Sequence, residues 1–321
     1  MNRKKWIVLV IVTAVIVGGF CVEALFGHFS DLTPAPVAWE ETVISDGGAY
    51  KIVQLFVTGV ISGQSSSPGT PPMNEVLTEQ LRHIEEDELV KAVVLRIDSP
   101  GGEVVATDEI YQRLLHLKAK RHIPLVVSMG STAASGGYYL ATAGDAIFAN
   151  RHTMTGSLGV IFTLTNYAET AARFGIKEYV IKSGKYKDIG SPTRPLTEEE
   201  RSIFQRLVNE SYENFVNVIV EGRKLPRERV LALADGRIYS GAQARELGLI
   251  DSFGDLDAAT DHALTLSGLT EATIVRYEEA LSLGNLLFSM QKHWTSNDPF
   301  GLQRFLDREA APKLLYQYSP N

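Results

Sequence analysis

Apolar residues along this chain fall into short continuous runs, separated by stretches whose apolar positions have helical spacing. The runs predict strands at Lys51–Ile61, Ala92–Ile97, Pro124–Met129, Ala146–Ala149, Val160–Leu164 and Lys177–Lys182. The intervening stretches predict helices at Asn74–Asp87, Val104–Lys118, Gly136–Ala143, Thr170–Phe174, Thr197–Gly222, Pro226–Ala234 and Gly241–Leu247. Short apolar strands that alternate with helices are typical of a largely parallel sheet covered on both faces. The pattern therefore predicts an α/β fold.

The N-terminus has a different pattern. Three basic residues at positions 3–5 precede an apolar segment at residues 6–26, and at about 1.5 Å per residue a helix of this length spans the roughly 30 Å of a bilayer core. The alternative is a cleaved signal peptide, for which Val22–Ala24 offers small residues at suitable offsets. Because the segment is longer than a usual signal-peptide core, an uncleaved anchor is favoured. The basic flank then stays in the cytoplasm and the rest of the chain is exported.

These patterns divide the chain into five parts. Residues 1–5 are a cytoplasmic N-terminus, 6–26 a transmembrane anchor and 27–48 a juxtamembrane linker; 49–277 form one catalytic domain and 278–321 a C-terminal arm. The arm ends in an apolar stretch at residues 313–318. We expect it to pack against another subunit; the alternative is that it enters an active site, where it is trimmed or inhibits the enzyme.

Composition excludes several classes of protein. With 45% hydrophobic residues in 321 the chain is not generally disordered, and a net charge of −7 offers no field for binding nucleic acid. The single cysteine, Cys21, lies inside the apolar segment, so the exported part has no disulfide or Cys-rich metal site. No paired-histidine zinc motif is present either. Neither a metal nor a cofactor is expected.

Two glycine-rich clusters follow predicted strands and precede predicted helices, at Asp98–Gly102 and Gly130–Tyr139. Each is compatible with simple turn or packing chemistry. Each is also compatible with a site in which bare backbone N–H groups face a ligand or an oxyanion. In the functional interpretation Ser135 is a nucleophile at a strand-to-helix turn, with the N–H of Gly136 beside it.

A serine nucleophile needs a general base. None of the seven histidines adjoins a glycine turn with an acidic neighbour, so a histidine triad is disfavoured. A lysine serves as a base only where burial or positive charge lowers its pKa from about 10.4 towards 7–8. The third cluster, residues 181–192, contains Lys182, Lys185 and Lys187. Composition alone does not choose between a solvated basic loop and a base among these three.

Four motifs follow one another along this sequence: Asp98–Gly102 (DSPGG), Ala133–Tyr139 (AASGGYY), Thr155–Val160 (TGSLGV) and Ser183–Asp188 (SGKYKD). In the order and spacing of these motifs the chain resembles the bacterial signal peptide peptidases of the SppA family. The similarity covers roughly Lys51–Leu266, and the single anchor resembles the short, Gram-positive form. Small departures are Asp98, Glu103 and Leu158, none of which is expected to contact a reacting group.

The resemblance implies a Ser-Lys dyad with Ser135 as nucleophile and Lys187 as general base. It implies that Ser157 orients the lysine and that the N–H groups of Gly102 and Gly136 form the oxyanion hole. The implied fold is that of the crotonase and Clp-protease superfamily, built of repeated β-β-α units. Longer relatives assemble their dyad from two halves, so we expect this chain to form a homo-oligomeric ring, an octamer, with Lys187 reaching Ser135 at or near a subunit boundary.

The implied function is a membrane-anchored serine endopeptidase that degrades remnant signal peptides and other extended apolar peptides on the extracytoplasmic face. Two alternatives belong to other classes. A crotonase-type acyl-CoA enzyme would use the same pair of backbone donors, but an exported domain would not meet CoA. A catalytically silent membrane scaffold would not need Ser135 and Lys187.

Overall fold

The computed structural model describes residues 39–65, 71–279 and 314–318. Strands in these ranges are β1 (Trp39–Ser45), β2 (Lys51–Thr58), β3 (Val90–Ser99), β4 (Gly101–Glu103), β5 (Leu125–Ala134), β6 (Ala146–Ala149), β7 (Met154–Gly156), β8 (Ile161–Phe162), β9 (Ile238–Ser240), β10 (Ser252–Phe253), β11 (Thr273–Glu279) and β12 (Leu314–Gln317). Helices are α1 (Met73–Glu86), α2 (Val104–Arg121), α3 (Gly136–Ala141), α4 (Ala168–Arg173), α5 (Glu198–Arg223), α6 (Arg227–Leu233), α7 (Gly241–Leu247) and α8 (Leu256–Leu266).

A nine-stranded sheet carries the fold. Its main path runs β1-β11-β2-β3-β5-β6-β10, and β7 extends from β5 to β9. The pairs of β2 with β3, β3 with β5 and β5 with β6 are all parallel. A separate three-stranded sheet has the order β4-β12-β8, and both of its pairings are antiparallel. The predicted mixed α/β fold with a sheet rich in parallel pairs is therefore confirmed.

Strand β3 shows why the central strands are apolar on both faces. Its residues Val93, Leu95 and Ile97 point into the larger core, which also holds side chains of α1, α2, α3 and α5. The alternate residues Ala92 and Val94 point into a smaller core covered by α8. Because successive side chains of a strand face opposite ways, the two layers of helices require the continuous apolar runs seen in the sequence.

Helix α5 begins where the sequence predicts it. Thr197 is the N-cap, its side-chain oxygen accepts a hydrogen bond from the N–H of Glu200, and the Glu200 carboxylate accepts one from the N–H of Thr197. This reciprocal capping satisfies two donors that have no partner inside the helix. The cap also ends the loop that carries Lys187.

One predicted strand is wrong. The segment Lys177–Lys182 contains no strand or helix, and its apolar side chains lie in solvent; Tyr179 is 85% exposed and Ile181 is fully exposed. A strand is stabilised by pairing and by burying one face, and within the described chain this segment does neither. Its short apolar run therefore has no strand partner among the described residues.

Seven of the described strands lie where no strand was predicted: β1, β4, β7, β9, β10, β11 and β12. Strand β1 forms at residues 39–45, inside the segment expected to be a linker, and β1 lies beside β11. Strand β11 pairs in parallel with β2 at the far end of the chain, for example Ile274 with Ile52. Strand β12 belongs to the predicted C-terminal arm. The described part of the compact body consequently includes residues 39–48 and 314–318, which lie outside the predicted limits of 49–277.

The predicted anchor at residues 6–26 lies outside the described residues. Within residues 39–65, 71–279 and 314–318, no helix combines the length and the apolar character needed to cross a membrane.

The larger core provides a test of the fold. Leu95 is fully buried in it, so Leu95→Ala is expected to lower the free energy of unfolding by about 2–5 kcal/mol through lost contacts and a cavity. Urea unfolding of the full chain, followed by circular dichroism, measures this. The control Val105→Ala, at a position on α2 that is 69% exposed, is expected to change the free energy by no more than about 0.5 kcal/mol. Equal effects of the two substitutions would contradict the packing described here.

Candidate active site

Ser135 stands at the turn between β5 and α3 and has an unusual backbone conformation. Its φ is 51° and its ψ is −115°, a combination that non-glycine residues rarely adopt. Such a conformation costs on the order of 1–3 kcal/mol and persists only where the surroundings hold it. Here the N–H of Ser135 donates to the Gly156 carbonyl at 2.8 Å, and the Ser135 carbonyl accepts from the N–H of Tyr139 at 2.8 Å.

The Ser135 hydroxyl is buried but not engaged. The residue is only 1% exposed, and its Oγ has no hydrogen-bond partner among the described residues. A buried hydroxyl normally finds a partner, because leaving it unpaired costs about 1–3 kcal/mol. A strained, buried serine with an unused hydroxyl is typical of a nucleophile whose partners arrive with substrate or with another chain.

Glycine residues, which have no side chain, surround this serine. Gly101 has a φ of 95°, and a Cβ added there would lie 2.6 Å from the N of Gly136. A Cβ on Gly102 would lie 1.9 Å from the Ile61 carbonyl oxygen, and one on Gly136 would lie 2.9 Å from Oγ1 of Thr107. Each position is therefore restricted to glycine by close contacts. The result is a surface of main-chain atoms beside Ser135.

Strand β12 lies on this surface. Its pairing with β4 is antiparallel and places Tyr316 opposite Gly102 and Gln317 opposite Gly101. The N–H of Tyr318 donates to the Pro100 carbonyl at 2.7 Å. In an antiparallel ladder every second residue pair is hydrogen-bonded. Because Tyr318 and Pro100 form one such pair, Tyr316 and Gly102 form the next, and the Gly102 N–H faces the Tyr316 carbonyl.

The same carbonyl also lies close to α3. A Cβ on Gly136 would be 3.0 Å from the Tyr316 oxygen, and one on Gly101 would be 1.9 Å from it. The carbonyl of Tyr316 thus stands between Gly102 and Gly136, the two residues expected to donate to an oxyanion. A segment of the protein's own chain occupies the position that a substrate carbonyl would need.

The Tyr316 side chain fills an apolar pocket between α3 and α5. Its ring stacks on Tyr139 with centroids 5.1 Å apart and lies 4.8 Å from the ring of Phe215. Its hydroxyl donates to the Ser211 carbonyl at 2.8 Å. Burial raises the pKa of Tyr316, so the phenol stays protonated and remains a donor. The pocket accepts a large aromatic side chain with one polar atom at its tip.

Ser157 lies next to Ser135 by sheet register. Strand β7 pairs with β5 so that Gly156 is opposite Ala134, and each strand is followed directly by one of the two serines. Ser157 also has a positive φ, 51°, and its N–H donates to the Arg237 carbonyl at 2.7 Å. The structure therefore brings together four of the five predicted site residues: Gly102, Ser135, Gly136 and Ser157.

The fifth predicted residue, Lys187, is elsewhere. It is exposed, and no hydrogen bond joins its amine to the Ser135 hydroxyl or to any other described side chain. Its neighbour Asp188 is held by Arg194, with Nε to Oδ2 at 3.0 Å, and by Lys182 at 2.6 Å. Those hydrogen bonds, from Arg194 first, keep the pKa of Asp188 well below its usual range.

Arg194 also ties this loop to helix α5. Its guanidinium donates to both carboxylate oxygens of Glu200, at 2.5 and 2.9 Å, and these bonds lower the pKa of Glu200 to about 2. Both carboxylates remain charged down to acidic pH, so the loop is attached to α5 throughout the neutral range. Lys187 is thereby presented at the surface.

Four residues that shape the site were not identified from the sequence: Ser99, Ser211, Phe215 and Tyr316. Ser99 accepts the N–H of Gly101 at 3.0 Å and shapes the turn. Ser211 and Phe215 lie on α5, far along the chain, and no local pattern distinguishes them from core residues. The apolar stretch at residues 313–318 was the available signal for Tyr316. Within the described residues no group of three or more His, Cys, Asp or Glu side chains is placed to hold a metal ion.

The chain is similar in sequence to known proteins. The chain matches the family model described as Peptidase family S49 over residues 117–270 and that described as Clp protease over residues 54–162. It is 36% identical to a putative signal peptide peptidase SppA of Enterococcus faecium over 99% of both chains. It is 44% identical to a putative protease of Synechocystis over 68% of this chain and 75% of the relative. Protease 4 of Salmonella typhi is 31% identical over 74% of this chain and 38% of that longer protein.

Fold, serine turn and relatives together define a serine peptidase. The chain belongs to peptidase family S49, and the resemblance to the SppA proteins that the sequence motifs indicated is confirmed.

The glycine surface provides a test of the site. Gly101→Ala is expected to lower kcat/KM for peptide cleavage by at least about a hundredfold, because the new Cβ would displace both a bound carbonyl and the Gly136 N–H, and one oxyanion donor is worth about that much. The control is Gly159→Ala, where the nearest atom to an added Cβ is 3.7 Å away. If Gly101→Ala keeps more than a tenth of the wild-type activity, the close approach has no catalytic importance.

Proposed function

We propose that this serine peptidase is a membrane-anchored endopeptidase that cleaves remnant signal peptides and other extended apolar peptides on the extracytoplasmic face of the membrane. The supporting observation is strand β12, which lies in the site as a peptide would. It is extended, it pairs with β4 on one side and β8 on the other, and it places an aromatic residue in the pocket beside Ser135. Peptide recognition by strand addition draws affinity from main-chain bonds and selectivity from side-chain pockets.

The chemistry we propose uses Ser135 and Lys187 as a dyad. A neutral amine at Lys187 takes the Ser135 proton as Oγ attacks the carbonyl that occupies the position of Tyr316 C=O. The N–H groups of Gly102 and Gly136 stabilise the oxyanion, each by about 3–4 kcal/mol. Lys187 returns the proton to the leaving nitrogen and then activates the water that hydrolyses the acyl-enzyme. Ser157 orients the lysine.

The dyad is completed between subunits in this proposal. Ser135 is buried with an unengaged hydroxyl, and Lys187 is exposed on a loop of the same chain. The segment leading to Lys187 exposes large apolar side chains, among them Phe174 at 78%, Ile176 at 64% and Ile181. Exposed apolar groups of this size favour burial against another protein surface. A closed ring, an octamer, covers them and delivers each Lys187 to the site of its neighbour.

The location at the membrane rests on the sequence. An uncleaved apolar segment at residues 6–26 with a basic N-terminal flank holds the catalytic domain outside the cytoplasm, next to the membrane into which apolar peptides partition. The C-terminal arm, lying in the site as β12 does, is then an internal substrate or inhibitor of the same enzyme.

A fluorophosphonate probe tests the nucleophile. Such probes react covalently with an activated serine, so labelling of the wild-type protein and loss of labelling in Ser135→Ala are expected. The matched control Ser131→Ala, at an exposed position in the same cluster, should keep its labelling. The wild type that has not been treated with the probe should also cleave a peptide of sequence LLYQY after the first tyrosine, and prior labelling should abolish this cleavage. Equal labelling of wild type and Ser135→Ala would exclude Ser135 as the nucleophile.

A mixture of two inactive variants tests the shared site. Ser135→Ala and Lys187→Ala are each expected to be inactive as uniform assemblies. When the two chains are co-expressed in equal amounts, about a quarter of the sites in a head-to-tail ring combine an intact serine with an intact lysine from the next chain, so about a quarter of wild-type activity is expected. A mixed assembly of normal size with no activity would show that each site is built from one chain.

A further inference from the structure

We propose that Asp98 positions the nucleophile: its carboxylate holds a bulge in strand β5, and the bulge carries the chain to the place where Ser135 turns into α3. Asp98 is thus a positioning residue, which acts through the backbone and does not touch the substrate. This inference rests on the proposed function, since it takes Ser135 as the nucleophile. It gives a role to the first residue of the Asp98–Gly102 motif, which the proposed chemistry does not use.

The bulge is visible in the register of β5 with β3. Two successive pairs in this register are Ile97–Met129 and Ser99–Ala133. Between them β3 has one residue, Asp98, whereas β5 has three, residues 130–132. Strand β5 therefore carries extra residues at this point. A bulge bends its strand and re-aims the side chains that follow, and bulges are common beside active sites.

The bulge separates two pairings of β5. Before it, residues 126–128 of β5 pair with β6. After it, residues 132–134 pair with β7. Ser135 follows directly on this second pairing, and its N–H donates to the Gly156 carbonyl of β7 at 2.8 Å. The strand thus reaches the nucleophile, and the neighbouring Ser157, only by way of the bulge.

Two contacts join Asp98 to the bulge. Its Oδ1 accepts a hydrogen bond from the N–H of Thr132 at 2.9 Å. Its side chain also lies against the backbone of Gly130, where an added Cβ would be 2.7 Å from Cβ and Cγ of Asp98. A bulge disrupts the ladder of its strand, and a carboxylate that accepts from a backbone N–H there forms a strong, charge-assisted hydrogen bond. Asp98 is itself fixed in the sheet, opposite Thr58 of β2.

Thr153 holds the same bulge through its carbonyl side. The hydroxyl of this buried residue donates to the Gly130 carbonyl at 2.8 Å and accepts from the N–H of Asn150 at 3.1 Å. One backbone donor of the bulge is therefore tied to β3 through Asp98, and one backbone acceptor is tied to the turn before β7 through Thr153. These two ties set the course of β5 between its pairing with β6 and its pairing with β7.

Two other roles for Asp98 make different predictions. A carboxylate that acts through its charge is not replaced by an amide, whereas for positioning the amide oxygen of asparagine also accepts from the Thr132 N–H. A residue that only stabilises the fold changes the amount of folded protein and not the reactivity of Ser135 in the folded part. The rate constant of fluorophosphonate labelling measures that reactivity, and the extent of labelling measures the folded fraction.

The experiment uses the full-length protein in detergent and measures this rate constant together with kcat and KM for the LLYQY peptide. Asp98→Ala is expected to lower the labelling rate constant and kcat by about ten- to a hundredfold, because a displacement of about 1 Å in a reacting group costs that much. KM should stay within about twofold, since the peptide pairs with β4 and β8 and the substitution alters neither strand. Asp98→Asn is expected to restore all three values to within about twofold of the wild type.

The matched control is Asp145→Ala. The Asp145 carboxylate accepts from the N–H of Leu125 at 2.8 Å, which is the same kind of bond at the opposite end of β5. Its loss weakens the strand far from Ser135, so the labelling rate constant and kcat should equal those of the wild type. A second variant, Thr153→Val, removes the other tie and keeps the shape of the side chain; it is expected to lower both values as Asp98→Ala does.

Several outcomes overturn the positioning role while leaving the peptidase standing. They are a wild-type labelling rate constant in Asp98→Ala, an equal loss in Asp98→Asn, and an equal loss in Asp145→Ala. If Asp98→Ala does not fold, Thr153→Val decides instead, and a wild-type rate constant in that variant overturns the inference. If the wild type itself is not labelled at Ser135, the proposed function fails and this inference fails with it.

Discussion

The parallel register of β3, β5 and β7 is the constraint on which the site depends. Ser99 is opposite Ala133, and Ala134 is opposite Gly156. Because the carboxyl ends of parallel strands meet at one edge of the sheet, this register brings the Ser99–Gly102 turn, the Ser135 turn and Ser157 to the same place. Shifting one strand by a residue would turn its side chains to the other face and separate these groups.

The strain at Ser135 is tolerable because its surroundings are rigid. Fully buried apolar side chains precede it in β5, and Tyr138 behind it is completely buried with its hydroxyl bonded to the Leu249 carbonyl at 2.8 Å. Well-packed neighbours cannot relax to let the serine adopt an ordinary conformation. Glycines at positions 101, 102 and 136 then let the backbone approach closely. The packing of the core therefore keeps the Ser135 hydroxyl buried and without a hydrogen-bond partner among the described residues.

Local sequence patterns were sufficient to predict the elements that bury their own apolar faces. They were also sufficient for the serine turn, because its strand end, glycines and small residues are neighbours along the chain. They were insufficient where the stabilising partner is remote. Strand β11 is defined by pairing with β2, more than two hundred residues earlier, and β1 by lying beside β11. The segment Lys177–Lys182 has the short apolar run of a strand but no described partner.

The antiparallel sheet explains why an extended chain, and not a folded one, can enter this site. Strand β4 is paired with Ile61 on one edge, and β12 fills the space between its other edge and β8. Without β12, both β4 and β8 would present unpaired N–H and C=O groups separated by the width of one strand. Only an extended segment satisfies both rows of groups at once. Selection by backbone shape comes first, therefore, and the pocket of Tyr316 acts on a chain already held in register.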